Sequence, residues 1–508
     1  MATVITTTPA GTTEVEKPVS IIAKLIYPLA LLAAVSIWFL AIRAPLWLDE
    51  TLAYWQVSSG FAKVWSRSAL MPSSIGYLYT LWFVKSILGS SEIALKIPST
   101  LAMLGAVYFL FRSAHELYDH ETAFLACIFF ALTNNVVFAA TDARPYAFAL
   151  LASNLATFAF IRWMAKREMR QAIAFGAAAA GILYFHYLFG AILPVFAIYY
   201  LIARRGFVKE DLRQLAAVIA AFTLCSVPLI YRIASLYHTK AMHVVQEMHH
   251  PVLVALNTLA PLQLLIGFVI AACMAALIRK LNLPDRESLP AILFGPLLAL
   301  VPIAVFFSAG ALSSVHLLIP RYLTVVAPGS ALTWALLTRQ IDSRALRQIF
   351  CVGLVAVAVY ESYSSPLSRK HELNFKEAHA FVNANLADDG DPVPVLTCSA
   401  FIESDYEVMP TDRNGENPLF SQLFYYPINA PVVLLPMDLN DETIRIGSQV
   451  ILAAAQRHQK FLFVVPPSSY PTLQWFDNYS RGAFTSQVLK DFDQEIVVVE
   501  FRPIAGGD

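Results

Sequence analysis

Long apolar segments follow one another through the first 365 residues of the chain. A helix needs roughly 17–25 mostly apolar residues to cross a bilayer, and the sequence predicts about eleven such helices. They lie at residues 21–42, 93–111, 121–140, 145–161, 171–185, 187–203, 215–231, 257–278, 289–309, 322–338 and 348–363. The Thr-rich residues 1–20 are predicted to form a disordered cytoplasmic tail, and the first apolar segment is too long for a cleaved signal peptide.

The pattern changes after residue 365, where short helical and strand-like segments alternate. Helices are predicted at 375–386, 441–458 and 470–480, and strands at 393–397, 430–435, 460–465 and 495–501. This alternation predicts a soluble α/β domain over residues 366–508, with helices on both faces of a sheet. No Gly-rich nucleotide motif occurs there. The domain could bind the acceptor or act as a lid, or it could be a structural cap.

Composition agrees with this division into two parts. The chain is 57% hydrophobic and only 14% charged, against about 25% charged residues in soluble domains. Such values exclude a disordered or fibrous protein and argue against an ordinary cytosolic enzyme. Residues 1–365 carry a net charge of +9 and residues 366–508 a net charge of −9. The balance gives no sign of nucleic-acid binding.

Basic residues in the loops predict the orientation in the membrane. One set of alternate loops contains 15 Lys and Arg residues, whereas the loops between them from 141 to 322 contain four. The positive-inside rule places the first set in the cytoplasm and residues 366–508 outside. Residues 74–88 are too short to span. We therefore expect an amphipathic interfacial helix there, which leaves residues 43–92 as a large outer loop.

An acidic pair follows the first predicted span inside this outer loop. Asp49 and Glu50 lie between Trp47 and Trp55. A carboxylate at an apolar surface can serve as a general base, and the pair could also hold a divalent cation. The alternative is an interfacial acid beside an aromatic belt.

Two arginines lie at other predicted outer ends of spans. Arg144 shares a tight turn with Asp142 and Tyr146, and Arg321 is followed by Tyr322. The planar guanidinium suits a phosphate because it can bind two oxygens at once. An Asp142–Arg144 ion pair that only orders the turn is the alternative. Candidate substrate contacts on this side are Asp142, Tyr146, His186, Tyr187 and His316.

Five short motifs in this order resemble those of a known enzyme group. They are Leu48–Thr51, Met71–Tyr77, Leu88–Ser99, Ala143–Ala147 and Pro320–Leu323. The set resembles the membrane glycosyltransferases of the GT-C superfold. The nearest likeness is to bacterial relatives of protein O-mannosyltransferases and of the aminoarabinose transferases that modify lipid A. Met71 departs from the pattern, since some members have His or Lys there.

The resemblance implies a polytopic α-helical membrane protein of GT-C type whose residues 21–365 form the catalytic domain. Asp49 would be the catalytic base with Glu50 beside it, and Arg144, Arg321 and Tyr322 would face the donor phosphate. The reaction would move a sugar from a polyprenyl-phosphate donor to an acceptor hydroxyl at the outer face, with inversion. The acceptor could be a glycan, a lipid or a protein. No cofactor is expected, and a divalent cation on the acidic pair is the alternative.

Two other functions fit parts of the pattern. A lipid-linked glycan transporter, or flippase, would carry polar residues through the middle of the membrane. The predicted spans are nearly free of charge at that depth, which favours the enzyme. A membrane scaffold whose outer domain binds a partner is the third possibility.

The predicted orientation can be tested by labelling single cysteines in a variant that lacks the native ones. Cysteines at Ser59, Ser314 and Ser404 should react with a membrane-impermeant thiol reagent from outside, and one at Ser343 should not. Labelling at Ser343 but not at Ser314 would reverse the orientation. Loss of labelling at Ser59 alone would mean that residues 74–88 span the membrane.

Overall fold

The computed structural model describes residues 21–70, 74–204, 209–238, 251–278, 289–312, 317–364, 373–386, 393–401, 404, 417–492 and 495–504. His316, one of the predicted substrate contacts, lies outside these ranges, as do Ser314 and the predicted tail at 1–20. Helices occupy most of the first part, and a five-stranded sheet with flanking helices forms the C-terminal region.

Each of the eleven predicted spans contains a helix. The helices of the first part are α1 (Ile21–Ser36), α2 (Trp38–Ala41), α3 (Leu48–Ser58), α4 (Phe61–Leu70), α5 (Ile75–Leu88), α6 (Glu92–Leu117), α7 (His120–Leu132), α8 (Asn134–Thr141), α9 (Tyr146–Lys166), α10 (Met169–Phe185), α11 (Leu193–Ala203), α12 (Lys209–His238), α13 (Pro251–Leu259), α14 (Leu262–Leu277), α15 (Leu289–Leu312), α16 (Ala327–Arg339) and α17 (Arg344–Ser364).

Helix length limits how many of these can be counted as membrane spans. Among the described residues, six helical segments are long and apolar enough to cross a membrane, and up to eight if each of two bent pairs is one span. The bent pairs are α7 with α8, at 71°, and α13 with α14, at 48°. The larger number of about eleven spans therefore stays a prediction.

Helix α5 differs from the predicted amphipathic helix. Its buried residues include Tyr77, Leu78 and Leu81, while Phe83 and Ile87 are exposed. Both sides are apolar, so the helix is not amphipathic. Its location at the membrane surface stays a prediction.

The helical part has one continuous core, and small residues allow its helices to approach closely. A Cβ atom at Gly329 of α16 would lie 2.3 Å from the backbone nitrogen of Ala299 in α15. Only glycine permits this approach. At one end of the core the Glu121 carboxylate accepts hydrogen bonds from the Tyr27 hydroxyl at 2.6 Å and from Arg347 at 2.7 Å. These contacts join α1, α7 and α17.

The C-terminal sheet contains β1 (Val395–Cys398), β2 (Val432–Leu435), β3 (Phe461–Val465), β4 (Phe484–Phe492) and β5 (Ile496–Pro503), in the order β2-β1-β3-β5-β4. Strand β1 is parallel to both β2 and β3, and β5 is antiparallel to β3 and β4. The helices are α18 (Phe375–Asn385), α19 (Ser421–Tyr425), α20 (Asp441–Gln456) and α21 (Tyr470–Ser480). Strand β4 and helix α19 were not predicted from the sequence.

The C-terminal region packs on the helices of the predicted first outer loop. One face of its sheet shares a core with Trp47 and Leu52 of the α3 segment, and the opposite face packs on α20 and α21. The Tyr426 hydroxyl donates to Glu92 at 2.7 Å and accepts from the Leu46 backbone nitrogen at 2.8 Å. The position of α3 therefore depends on both parts of the chain.

Candidate active site

The candidate site is built on the first turn of α3. The helix begins at Leu48, directly after an extended residue, Trp47. Asp49 and Glu50 occupy its first turn, where the partial positive charge of a helix N-terminus stabilises carboxylates. Adjacent residues on a helix point about 100° apart, so the two carboxylates meet different surroundings.

The Asp49 carboxylate lies between two guanidinium groups. Its Oδ2 atom is 3.1 Å from Arg321 and 3.4 Å from Arg144. Arg144 also donates to the Asp49 backbone oxygen at 3.3 Å. The Asp49 side chain is 15% exposed and that of Arg144 is 17% exposed. Two positive charges thus share one negative charge in a partly buried site, which leaves an excess of positive charge.

Glu50 is fully buried and faces away from this pair of arginines. Its Oε1 atom accepts a hydrogen bond from the Ala143 backbone nitrogen at 2.6 Å, and its Oε2 atom accepts one from the Trp47 nitrogen at 3.1 Å. The ammonium of Lys96, also fully buried, lies 3.5 Å from Oε2. Each carboxylate oxygen therefore has a partner within the protein.

Asp142 reaches the same segment from the end of α8. Its Oδ1 atom accepts a hydrogen bond from the Trp47 indole nitrogen at 2.9 Å. Among the described residues it makes no ion pair with Arg144, whose guanidinium instead contacts Asp49. The local Asp142–Arg144 pair considered from the sequence is therefore not formed. The bend between α7 and α8 brings this turn to α3.

Aromatic rings line another side of the site. His186 stacks against Tyr146 with ring centroids 5.2 Å apart, and its ring lies 5.8 Å from that of Tyr322. The Arg321 guanidinium lies 5.6 Å from the Tyr322 ring. His186 and Tyr146 are buried, whereas Tyr187, stacked on His186 at 5.7 Å, is 41% exposed.

Several buried polar atoms at the site have no hydrogen-bond partner in the described part of the chain. They are Oδ2 of Asp142, Nε of Arg144, Nε of Arg321, Nδ1 of His186 and the hydroxyl of Tyr77. Most buried polar groups in proteins are paired. The concentration of unpaired polar atoms around Asp49 is what we expect of a site that receives a polar ligand.

The surroundings shift the protonation of the buried groups in different directions. Burial raises the pKa of Asp142 well above its ordinary value, and the Glu50 carboxylate raises it further. Burial, with help from Arg144 and Arg321, lowers the pKa of His186 to about 3. Burial alone would lower the pKa of both arginines, but the charge of Asp49, together with smaller contributions from Tyr146 and Asp142, outweighs burial and raises the pKa of each. Near neutral pH, His186 is therefore neutral and both arginines are charged.

A cavity of about 630 Å³ adjoins the site. Its wall includes Thr141 and Pro320, the residues before Asp142 and Arg321. Apolar side chains make up most of the lining, with neutral polar residues such as Asn135 and Asn257 among them. The volume falls in the usual range for small-ligand sites, about 300–1,000 Å³.

The structure thus brings together the predicted residues Asp49, Arg144 and Arg321, with Asp142, Tyr146, His186 and Tyr322 around them. Sequence reasoning missed Lys96 and Tyr77 as individual residues, although both lie in motifs that carry the resemblance. A lysine inside an apolar segment was the available signal for Lys96. Within the described residues, no group of three His, Cys, Asp or Glu side chains could hold a metal ion.

Residues 72–231 match the sequence model of the dolichyl-phosphate-mannose-protein mannosyltransferase family. This range includes Arg144 and His186 but neither Asp49 nor Arg321. No curated protein sequence matches the chain.

Solved structures with a similar fold include ArnT from Cupriavidus metallidurans in the apo state. It is 11% identical, with a TM-score of 0.52 over 94% of this chain and 98% of ArnT. ArnT bound to undecaprenyl phosphate gives a TM-score of 0.47 at 11% identity, with the same coverage. The apo Archaeoglobus fulgidus oligosaccharyltransferase gives 0.45 at 12% identity, over 88% of this chain and 69% of that one.

The apo ArnT structure covers both the helical part and the C-terminal sheet region, and at this identity the likeness shows a common fold. The family match falls inside the helical part. The resemblance expected from the sequence motifs is thereby confirmed: this chain has the GT-C fold and resembles the membrane glycosyltransferases of that superfold.

Proposed function

We propose that the protein transfers a sugar from a polyprenyl-phosphate donor to a hydroxyl group of an acceptor, with inversion at the anomeric carbon. The observation that carries the proposal is the Asp49 carboxylate held between Arg144 and Arg321, at 3.4 and 3.1 Å. A transfer from a lipid phosphate needs a proton acceptor beside a phosphate site. The mannosyltransferase family match supports this class of donor.

In the proposed reaction the acceptor oxygen attacks the anomeric carbon while its proton passes to Asp49. The bond between that carbon and the phosphate oxygen breaks, and its electron pair stays on the phosphate. The donor phosphate carries one negative charge as a diester and gains a second as it leaves. Arg144 and Arg321 therefore stabilise the leaving phosphate more strongly than the bound donor, which is the requirement for lowering a barrier.

Binding of the phosphate by the two arginines would weaken their contact with Asp49. Their Nε atoms are buried and unpaired within the described residues, so each guanidinium has donors to spare for a second anion. When the phosphate draws the arginines towards itself, the Asp49 carboxylate loses its counter-charges. The carboxylate is then better able to accept the proton of the incoming hydroxyl.

The aromatic side of the site would receive the sugar ring. His186 is neutral near neutral pH and has an unpaired Nδ1 atom among the described residues. It therefore suits a hydrogen bond to a sugar hydroxyl rather than a contact with the phosphate. Tyr146, Tyr187 and Tyr322 offer ring faces beside it. The adjoining cavity, whose lining is mostly apolar, would hold parts of the substrates next to the reacting atoms.

We expect the reaction to need no metal ion. A divalent cation at Asp49 would have to displace two guanidinium groups, and Glu50 already has a partner at each oxygen. This donor set does not suit a cation. We further propose that the reaction takes place at the outer membrane face, as the loop charges predict, where a lipid-linked donor replaces cytoplasmic nucleotide sugars.

The proposed function can be tested with purified protein and a panel of polyprenyl-phosphate hexoses and pentoses. At least one donor should release free polyprenyl phosphate when mixed acceptors from a membrane extract are present, and chelators should not prevent release. The new glycosidic bond should have the anomeric configuration opposite to that of the donor. Binding of donors that all remain intact would favour a transporter instead.

Asp49→Asn tests the base directly, because it keeps the side-chain shape but removes the proton acceptor. A general base is typically worth about 10²–10⁴-fold in rate, and we expect turnover to fall by that range. Asp119→Asn is the matched control, because Asp119 also pairs with an arginine, Arg339 at 2.8 Å, but at a different place in the fold. The control should keep near-native turnover. Near-native turnover by the Asp49→Asn variant would contradict the proposed mechanism.

A further inference from the structure

The acid next to the proposed base has surroundings unlike those of a reacting group. Glu50 is fully buried, and its two oxygens contact the backbone nitrogens of Ala143 and Trp47, at 2.6 and 3.1 Å. An acceptor hydroxyl could reach this carboxylate only if the Ala143 turn moved away. Asp49, in contrast, keeps an exposed fraction and faces the arginines.

A buried lysine balances the charge of this acid. The Lys96 ammonium lies 3.5 Å from Oε2 of Glu50 and donates to the backbone oxygens of Ala44 at 2.8 Å and Pro45 at 3.4 Å. Both charged side chains have no exposed surface. A buried charge is strongly destabilising without its partner, so the two must be considered together. Lys96 comes from α6, which ties the chain before α3 to the helical core.

The contacts of Glu50 join two segments that carry the proposed reaction. Ala143 is the neighbour of Arg144, and Glu50 is the neighbour of Asp49. Beside this link, the Trp47 indole donates to Asp142 at 2.9 Å, and Arg144 donates to the Asp49 backbone oxygen at 3.3 Å. Residues 47–50 and 142–144 are therefore held side by side. A displacement of about 1 Å between reacting groups can cost about 10²-fold in rate.

We propose that Glu50 and Lys96 are positioning residues of the transferase. The Glu50 carboxylate holds the Ala143 amide, and so fixes Arg144 at its distance from Asp49, while Lys96 supplies the counter-charge that lets this carboxylate be buried. The inference rests on the proposed function, because the distance that Glu50 would set is the one between the proposed base, Asp49, and the proposed phosphate site at Arg144. It replaces the sequence-based expectation that Glu50 acts in catalysis beside Asp49.

Three single variants and one double variant test this role. Glu50→Asp keeps the acid but shortens it by one methylene, so that it can no longer reach both amides. Glu50→Gln keeps the length but leaves Lys96 without a counter-charge, and Lys96→Met leaves Glu50 without one. The Glu50→Gln, Lys96→Met double variant removes both charges. Lys85→Met is the control, because Lys85 makes no ion pair among the described residues: it contacts two backbone oxygens, at 3.4 and 3.5 Å, and lies 5.7 Å from the Tyr54 ring.

Two measurements test the positioning role, hydrogen exchange of the 142–144 backbone and affinity for undecaprenyl phosphate, and a third, turnover, tests whether Glu50 reacts. The three single variants should exchange the Ala143 amide faster and bind undecaprenyl phosphate at least about tenfold more weakly, because Arg144 is no longer held in place. The double variant should be less impaired than the product of its two single effects, since neither charge is left unpaired. Lys85→Met should match the native protein in both measurements.

The opposite results identify a different role for Glu50. If Glu50 is a reacting acid, Glu50→Gln should lower turnover while leaving amide exchange and lipid affinity unchanged, and Glu50→Asp should keep more activity than Glu50→Gln. Either finding overturns the positioning role. A third outcome is that the native protein does not bind undecaprenyl phosphate, while the variants still exchange the Ala143 amide faster. That outcome would support the contact between Glu50 and Ala143 and overturn the proposed function.

Discussion

The arrangement of the site depends on one shared carboxylate, that of Asp49 between Arg144 and Arg321. These residues are 95 and 272 positions from Asp49 in the chain, so the contact fixes three distant parts of the fold relative to one another. Charges in a partly buried site are costly unless they are paired. The three segments can therefore meet here only as a group, with the acid bridging two guanidiniums that would otherwise repel each other.

Around this contact the remaining features have a consistent arrangement. The C-terminal region packs on α3 and so fixes the direction of the helix that carries Asp49. The bend between α7 and α8 places the turn with Arg144 beside α3, and the contacts of Glu50 attach that turn to α3. In the proposed reaction Asp49 has two functions. It pairs with both arginines while the site is empty and accepts a proton once a phosphate has taken its place between them.

Much of the fold could be predicted from the sequence, because apolar spans and loop charges form patterns that extend over many residues. The alternation of helices placed Asp49, Arg144 and Arg321 at one end of the helical part, and the motifs indicated the GT-C fold. The directions in which two adjacent side chains point could not be predicted. Asp49 and Glu50 are adjacent, and only packing by Ala143 and Lys96 distinguishes the acid that is enclosed from the acid that faces the arginines.

Prediction from the local sequence pattern also failed for two elements whose structure depends on tertiary contacts. Strand β4 is an edge strand whose middle residues are mostly exposed and polar, and its pairing with β5 gives no apolar run to recognise. Helix α19 has five residues, too few for a helical period to be read. It is nevertheless important for the site, because Ser421 at its start contacts Thr51 of α3 at 2.9 Å.

The central claim is that Asp49 and a lipid phosphate compete for the same two arginines. The most direct measurement is the affinity of the native protein and of Asp49→Asn, Arg144→Ala and Arg321→Ala variants for polyprenyl phosphate without a sugar. Each arginine variant should bind about tenfold to a hundredfold more weakly, as expected for loss of a charge-assisted hydrogen bond, and the Asp49→Asn variant should bind more tightly than the native protein. Weaker or unchanged binding by the Asp49→Asn variant, together with native affinity in both arginine variants, would contradict the account.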